Sequence, residues 1–228
     1  MNLALKYRPL TFDQVVGQKA TCVILQAMIA KGCLAPVLLF TGPSGVGKTS
    51  MARIIAAQLN PEAATDVHAG THPSVLEIDA ASNGSVMALR QLKRDLNYAA
   101  VGHRVVIIDE AHAISPEGKA VLLNLLEFPP DDVTLILLTT ESHEIPEQVR
   151  HRCDTYEFKK ASVNDLMEKL TSVVQKEEIS INSDLLNLIA QRSEGSYREA
   201  LMMLKQVWVG DITSVEKYIA VHGEFDYG

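Results

Sequence analysis

The chain has 228 residues, of which 47% are hydrophobic and 21% are charged, a composition typical of a globular protein and outside the range of intrinsic disorder. Its 28 acidic and 21 basic side chains give a formal net charge of −7, so any contact with nucleic acid must come from a local patch. The apolar runs are much shorter than the roughly 18 residues that a membrane-spanning helix requires, so no membrane partner is expected.

Strands and helices alternate over the first 160 residues. Short apolar or β-branched runs predict five strands, and amphipathic stretches of helical length lie between them. Several strands are apolar on both faces, which is typical of a parallel sheet covered by helices on each side. In chain order, we predict a helix over 18–31, a strand over 36–41, a helix over 48–59, a strand over 74–79, a helix over 85–99, a strand over 104–109, a helix over 116–127, and strands over 133–139 and 155–158.

After about residue 160 the strand signals stop, and the sequence predicts helices joined by short polar turns. These helices are expected over 163–176, 183–192 and 196–209, with a last short helix near 213–221. Ser196 and Glu199 have the spacing of a capping box, and Gly195 suits the end of the preceding helix. The predicted architecture is a doubly wound α/β domain over 1–160, followed by a small all-α domain over 161–228.

The segment GPSGVGKT, which begins at Gly42, is a complete GxxxxGK[ST] motif between a predicted strand and a predicted helix. Its glycines let successive backbone N–H groups turn towards one anion, and the N-terminus of the following helix adds a positive dipole. Lys48 is predicted to supply a full charge at the β and γ phosphates, and Thr49 is predicted to be a ligand for Mg²⁺. A glycine-rich turn without a ligand is the alternative. The predicted nucleotide contacts in this segment are Gly42, Pro43, Ser44, Gly45, Val46, Gly47, Lys48, Thr49 and Ser50.

The second motif is VVIIDE, in which four aliphatic residues precede Asp109 and Glu110. This is the pattern of a Walker B strand. Asp109 is predicted to hold Mg²⁺, and Glu110 to orient and deprotonate the water that attacks the γ-phosphate. The alternative is a buried strand that ends in solvated acids. Together with the phosphate-binding loop, this motif predicts ATP hydrolysis as well as ATP binding.

These motifs and the helical C-terminal part together resemble AAA+ ATPases, in which a five-stranded parallel sheet precedes a helical lid domain. Finer matches resemble the clamp-loader family within that class, which includes the gamma/tau subunit of bacterial DNA polymerase III. The matching segments are LKYRPLTFDQVVGQ at 5–18, IDAAS at 78–82, LLEFPP at 125–130 and LTT at 138–140. The similarity runs from about residue 5 to residue 209. It therefore includes the motor domains but not the collar domain of the family, and both a fragment and a naturally short protein fit this observation.

The resemblance implies roles for three polar residues outside the two motifs. Thr140 matches sensor 1, which reports on the γ-phosphate and positions water. Arg152 matches the arginine that reaches the nucleotide of a neighbouring subunit, and Arg198 matches the sensor 2 arginine of the lid. Each also has a structural alternative, as a strand-end hydroxyl or a solvated surface charge. The resemblance further implies that the N-terminal segment covers the adenine, with contacts from Tyr7, Arg8, Val15 and Val16.

The resemblance also implies contacts with DNA. In this family they lie at helix N-termini, which bind phosphate oxygens without reading the base sequence. Ser82, Asn83 and Ser85 would open such a helix here. A basic cluster on the same helix, for which a solvated surface is an equal alternative, consists of Arg90, Lys93 and Arg94.

The sequence departs from the family pattern at two places. The four-cysteine zinc module that follows the helix after the phosphate-binding loop is missing, because residues 60–73 contain no cysteine. His68 and His72 lie four residues apart there, and we expect a loop without metal, so no zinc is predicted. His151 replaces the serine of the Ser-Arg-Cys motif, which keeps Arg152 but changes its neighbour.

The resemblance implies a Mg²⁺-dependent, ATP-hydrolysing motor subunit of a sliding-clamp loader, which opens the clamp and places it on primer-template DNA. The implied cofactors are ATP and Mg²⁺, and the implied partners are other loader subunits in a pentamer-like hetero- or homo-oligomer, the clamp and DNA. A bacterial or phage-encoded cytoplasmic protein is expected, since the first residues lack a secretory pattern and the scattered Cys22, Cys33 and Cys153 favour reduced thiols. Two alternatives stay open. They are another AAA+ motor of DNA metabolism, for branch migration or the replication fork, and a nucleotide-gated scaffold subunit with little turnover.

Overall fold

The structure is a computed structural model that describes residues 2–96 and 102–222. Its strands are β1 (Val37–Thr41), β2 (Val75–Asp79), β3 (Arg104–Asp109), β4 (Val133–Thr139) and β5 (Asp154–Glu157). Within the described residues they form one five-stranded parallel sheet in the order β2-β3-β4-β1-β5. Each strand lies within one residue of its predicted bounds, and the predicted fold class is confirmed.

Helices pack on both faces of this sheet, and a separate helical layer follows it in the chain. The helices are α1 (Leu3–Lys6), α2 (Lys19–Ala30), α3 (Lys48–Leu59), α4 (Ala64–Ala69), α5 (Ala80–Asn83), α6 (Val86–Asp95), α7 (Pro116–Glu127), α8 (Glu147–Arg150), α9 (Val163–Lys176), α10 (Ser183–Arg192), α11 (Tyr197–Val209) and α12 (Val215–His222). No helix of the described residues is long and apolar enough to cross a membrane. The helix predicted over 85–99 corresponds to α6, and residues 97–99 of that prediction lie outside the described residues.

The loop predicted over 60–73 is wrong in part, because this segment contains the helix α4. Val67 on α4 is buried in the same core as the helix α3, so burial of an apolar side chain holds the short helix in place. His72 at the end of the segment accepts a hydrogen bond from Ser74 N at 3.3 Å through its Nδ1 atom. This hydrogen bond therefore constrains the backbone directly before β2 begins.

The capping box predicted at the start of α11 is only half formed. Ser196 Oγ accepts a hydrogen bond from Glu199 N at 3.2 Å, as expected. Ser196 N donates instead to Ser193 O, at 2.8 Å. A complete capping box lies at the start of α9, between Ser162 and Asp165.

The sheet separates two apolar layers. Along β1 the side chains alternate, so Leu38 and Phe40 face the layer that contains α3, while Val37 and Leu39 face the layer that contains α7. The strand β1 is buried along its whole length because it lies between β4 and β5. A buried interior strand fixes the position of the residues that follow its carboxyl end, and after β1 these residues are the glycine-rich loop.

The first helix packs against the C-terminal helices rather than against the sheet. Leu3 is 1% exposed and belongs to the apolar core formed by α9, α10 and α11. Tyr7 Oη donates to Glu177 Oε1 at 2.6 Å, and Lys6 pairs with the same carboxylate. The predicted division of the chain near residue 160 stays a prediction, but the first residues share their core with the C-terminal helices.

Replacing Leu3 by alanine is expected to lower the free energy of unfolding by about 2 to 5 kcal/mol, because the change leaves a cavity in a closed apolar core. Leu5 is the matched control, since it lies on the same short helix and is 59% exposed. Urea unfolding of both variants, followed by circular dichroism, measures the difference. Equal midpoints for Leu3→Ala and Leu5→Ala would contradict the packing of Leu3.

Candidate active site

The predicted nucleotide-binding residues other than Gly42 and Pro43 meet in one cleft at the carboxyl edge of the sheet. The cleft has a volume of about 620 Å³ and lies between the loop after β1, the ends of β3 and β4, the first 16 residues and the helix α11. Ligands of open parallel sheets bind at this edge, because the loops after successive strands converge there. Its lining includes the predicted residues Tyr7, Arg8, Val15, Val16, Ser44, Gly45, Val46, Gly47, Lys48, Thr49, Ser50, Asp109, Glu110, Thr140 and Arg198.

The glycine-rich loop owes its shape to two backbone positions. Gly42 has a φ of +135°, and a Cβ atom there would lie 2.1 Å from Phe158 O. Gly45 has a φ of +76°, and a Cβ atom there would lie 2.0 Å from Ser196 Oγ. Only glycine satisfies both the left-handed backbone and the close approach. The loop therefore contacts the end of β5 on one side and the start of α11 on the other.

Lys48 is held inside this loop. Its Nζ atom donates to Gly42 O at 2.6 Å and to Pro43 O at 2.8 Å, and the residue is 7% exposed. Burial lowers the pKa of Lys48, while the carboxylates of Asp109 and Glu110 act in the opposite direction. Gly42 and Pro43 thus contact the ammonium group through their carbonyl oxygens rather than line the cleft.

The Walker B carboxylate meets the hydroxyl that follows Lys48. Thr49 Oγ1 donates to Asp109 Oδ2 at 3.1 Å, and both residues line the cleft. Carboxylate and hydroxyl oxygens are the hard ligands that Mg²⁺ prefers, with water and phosphate oxygens completing its shell. The donor set present therefore fits Mg²⁺, and Thr49 and Asp109 are the residues that would hold it.

Glu110 has an unusual backbone conformation at the end of β3. Its φ is +51°, in the left-handed region that residues with a Cβ atom seldom adopt. Thr140 Oγ1 donates to Glu110 Oε2 at 3.2 Å, and His112 Nδ1 lies 3.4 Å from the same oxygen. His112 Nδ1 is also 3.0 Å from Thr139 Oγ1. Backbone strain of this kind persists where the surrounding structure enforces the conformation. At Glu110 it directs the half-exposed carboxylate into the cleft.

The start of α11 closes the cleft from the opposite side. Arg198 is exposed in the first turn of this helix and lines the cleft. Tyr197 N donates to Gly45 O at 3.0 Å, so the helix is bonded directly to the glycine-rich loop. After burial, the charge of Arg198 is a further factor that lowers the pKa of Lys48. Lys48 and Arg198 therefore both place positive charge at the same cleft.

Replacing Gly45 by alanine is expected to weaken ATP binding about tenfold, or about 1.4 kcal/mol, because the added Cβ atom displaces Ser196 and with it the start of α11. Gly70 is the matched control, since its φ of +74° is nearly the same and no atom lies within 4 Å of a Cβ placed there. Both variants carry the backbone strain of about 1 to 2 kcal/mol. Calorimetric titration with ATP should separate them, and equal affinities would contradict the contact.

Two family models match the chain. Residues 17–162 match the model described as "DNA polymerase III, delta subunit", and residues 168–206 match "RCF1/5-like, AAA+ ATPase lid domain". The chain is 34% identical to DNA polymerase III subunit tau of Bacillus subtilis, over 95% of this chain and 41% of that protein. The chain belongs to the DNA polymerase III family of AAA+ clamp-loader ATPases.

Other similarities of this chain bear on its length and fold. It is 33% identical to Protein STICHEL-like 1 of Arabidopsis thaliana, over 90% of this chain and 20% of that protein. The chain thus spans less than half the length of these relatives. The RuvB Holliday junction branch migration motor of Thermotoga maritima superposes with a TM-score of 0.73 at 23% identity, over 94% of this chain and 71% of that one. At that identity the likeness shows the shared AAA+ fold.

Arg152 does not line the cleft of its own chain. Its Nη2 atom is 3.1 Å from Glu127 Oε1 and its Nη1 atom donates to Gln148 O at 2.8 Å. The pair with Glu127 lies at the surface, with side-chain exposures of 35% and 48%. The replaced neighbour, His151, approaches Glu147 at 3.5 Å. The predicted action of Arg152 on another subunit stays a prediction, and its exposed position leaves it accessible to one.

The predicted opening of a helix by Ser82 and Asn83 is wrong, because both residues belong to the preceding short helix α5. Ser82 Oγ donates to Asp79 Oδ2 at 3.1 Å. Ser85 alone caps the helix α6, where its Oγ accepts from Ala88 N at 3.3 Å. In the basic cluster of α6, Lys93 contacts Asn124 and Arg94 Nη2 donates to Gln91 Oε1 at 2.5 Å. DNA contacts at these residues stay predictions.

Several residues in or beside the cleft escaped the sequence analysis. Tyr197 directly precedes Arg198 in the first turn of a lid helix, and this position is the sequence signal that could have indicated a place in the cleft. His112 follows the Walker B acids by two positions and contacts Glu110. Lys169 Nζ donates to Tyr7 O at 2.8 Å across a gap of 162 residues, and no local pattern points to it.

Proposed function

We propose that this chain is the ATP-hydrolysing motor part of a sliding-clamp loader. The observation that carries the proposal is the convergence of Lys48, Asp109, Glu110 and Thr140 on one cleft that α11 closes. The site has separate groups for phosphate binding, for a divalent cation and for water activation, which is the set that phosphoryl transfer to water needs. We place this activity in the cytoplasm, with DNA replication as its context.

Different residues of the cleft carry out the separate tasks of ATP hydrolysis. Backbone N–H groups of the glycine-rich loop and the Lys48 ammonium bind the β and γ phosphates. Thr49 and Asp109 would hold Mg²⁺, which would offset the phosphate charge. Glu110 accepts a proton from the attacking water, and Thr140 keeps the Glu110 carboxylate turned towards it through the 3.2 Å hydrogen bond.

Coupling to partners follows from the two arginines outside these motifs. Arg198 brings the charge of the lid helix to the phosphates, so ATP binding draws the lid and the sheet domain together. Arg152 acts on the nucleotide of the neighbouring subunit and makes each site depend on an ordered assembly. We propose that this order opens a ring clamp and holds primer-template DNA, and that hydrolysis releases both.

Steady-state ATP hydrolysis tests the proposal most directly. The chain is assayed with candidate loader subunits, with and without sliding clamp and primed DNA, and Lys48→Ala serves as the inactive reference. Stimulation that requires both clamp and primed DNA is the expected result. An ATP turnover rate that is the same with and without clamp and primed DNA would favour another AAA+ motor of DNA metabolism. ATP binding without turnover in every assembly would favour a scaffold subunit.

A further inference from the structure

The N-terminal segment crosses from one domain to the other on its way past the cleft. Leu3 is buried in the core of the lid helices, whereas Phe12 is buried in the core beside the sheet. Val15 and Val16 follow and line the cleft. The segment that contains Val15 and Val16 forms the predicted nucleoside end of the cleft, and it packs into both cores.

Tyr197 joins this segment to the glycine-rich loop. Its Oη atom donates to Val16 O at 2.7 Å, over a separation of 181 residues. Its backbone N–H donates to Gly45 O at 3.0 Å. One residue of α11 thus makes a side-chain bond at the nucleoside end of the cleft and a main-chain bond at the phosphate end.

The surroundings of the Tyr197 hydroxyl keep it a hydrogen-bond donor. Burial raises the pKa of Tyr197, and the nearby carboxylates of Asp165 and Glu168 act in the same direction. Gly17 makes room for the hydroxyl, since a Cβ atom on Gly17 would lie 2.9 Å from Tyr197 Oη. The φ of +71° at Gly17 turns the chain immediately after Val16. The segment and the tyrosine therefore fit each other closely.

We propose that Tyr197 is a positioning residue that fixes the nucleoside-binding segment relative to the glycine-rich loop. The distance between the two ends of the cleft then depends on the docked lid, so base and phosphates bind with full affinity only together. This inference rests on the proposed binding of ATP in the cleft. It assigns to Tyr197 a part in nucleotide recognition that is separate from the charge of Arg198.

Tyr197→Phe tests the inference because it removes one bond and keeps the other. The variant loses the bond to Val16 O, while the main-chain bond to Gly45 O needs no side chain. Tyr156→Phe is the matched control, since Tyr156 Oη contacts Met28 Sδ at 3.2 Å and lies outside the cleft lining. Calorimetry on the whole chain measures binding of ATP and of inorganic tripolyphosphate, both with Mg²⁺.

The expected result is a loss of ATP affinity of about three- to tenfold in Tyr197→Phe, which is the size of one hydrogen bond. Tripolyphosphate affinity should match that of the unmodified chain, because the phosphate end is unchanged. In the hydrolysing assembly, KM for ATP should rise by the same factor while kcat is retained. Tyr156→Phe should alter none of these values.

Two outcomes would overturn the positioning role. One is an unchanged ATP affinity in Tyr197→Phe, and the other is an equal loss for ATP and tripolyphosphate, which would indicate a general structural effect. An unmodified chain that binds tripolyphosphate and ATP equally would also contradict it, since the nucleoside end would then contribute nothing. Failure of the unmodified chain to bind ATP at all would instead overturn the proposed function, and this inference with it.

Discussion

Replacing Glu110 by glutamine is expected to lower kcat for ATP hydrolysis by about 10²- to 10⁴-fold, the usual contribution of a general base. The amide has nearly the same shape, so it accepts the hydrogen bond from Thr140 Oγ1 that the carboxylate accepts at 3.2 Å. It does not accept a proton from water. ATP affinity should therefore persist, and the variant should accumulate as an ATP-bound assembly.

Single-turnover hydrolysis with radiolabelled ATP, together with a filter-binding assay, separates the two effects. Glu117→Gln is the matched control, since it makes the same chemical change at an exposed position of α7. Unchanged turnover in Glu110→Gln would rule out Glu110 as the base. A parallel loss of ATP binding would indicate that the strained backbone at φ +51° had rearranged instead.

Replacing Arg152 by alanine is expected to reduce kcat in the assembled complex by about 10³- to 10⁵-fold, the range that an arginine supplied by a neighbouring subunit contributes. The isolated chain should bind ATP as before, because Arg152 does not line the cleft of its own chain. The pair with Glu127 is solvent-exposed, so breaking it to reach another subunit costs at most about 1 kcal/mol.

Arg150→Ala is the matched control for Arg152→Ala. Arg150 is also exposed and lies two residues earlier, at the end of α8. Mixing experiments sharpen the test, since Arg152→Ala subunits should still hydrolyse ATP when Glu110→Gln subunits supply the arginine to them. Loss of activity confined to the chain that carries the substitution would show action within one subunit. Equal loss in Arg150→Ala would show a general effect of surface charge.

Local sequence patterns were sufficient for the sheet and for the two motifs that border its edge. The apolar runs of β1, β3 and β4 are buried on both faces, and such runs have few other stable arrangements. Gly42 and Gly45 mark a left-handed backbone that few other residues adopt. Convergence of the loops after β1 and β3 then follows from the parallel sheet itself.

Patterns failed where a competing local hydrogen bond decided the outcome. The capping box at Ser196 has the right spacing, yet Ser196 N donates to Ser193 O in the preceding turn. Ser82 and Asn83 read as the opening of a helix, but the hydrogen bond to Asp79 belongs to the short helix before it. In each case a competing local bond decided the result, and its strength is not visible in residue spacing.

The sequence by itself determined the apolar strands and the order of the two motifs along the chain, with Lys48 first and then Asp109 and Glu110, because glycine turns and apolar runs are local signals. The role of Thr140 was implied by the family resemblance. Only the tertiary structure decided that Leu3 lies in the lid core, that Tyr197 bonds Val16 and that Arg152 rests on Glu127. The bond from Tyr197 to Val16 joins residues 181 positions apart, and the pair of Arg152 with Glu127 joins residues 25 positions apart. The contacts of Leu3 and Tyr197 depend on how the helices after β5 pack against the first residues, and that of Arg152 on how the residues after α8 lie beside α7. No short stretch of sequence encodes these relations.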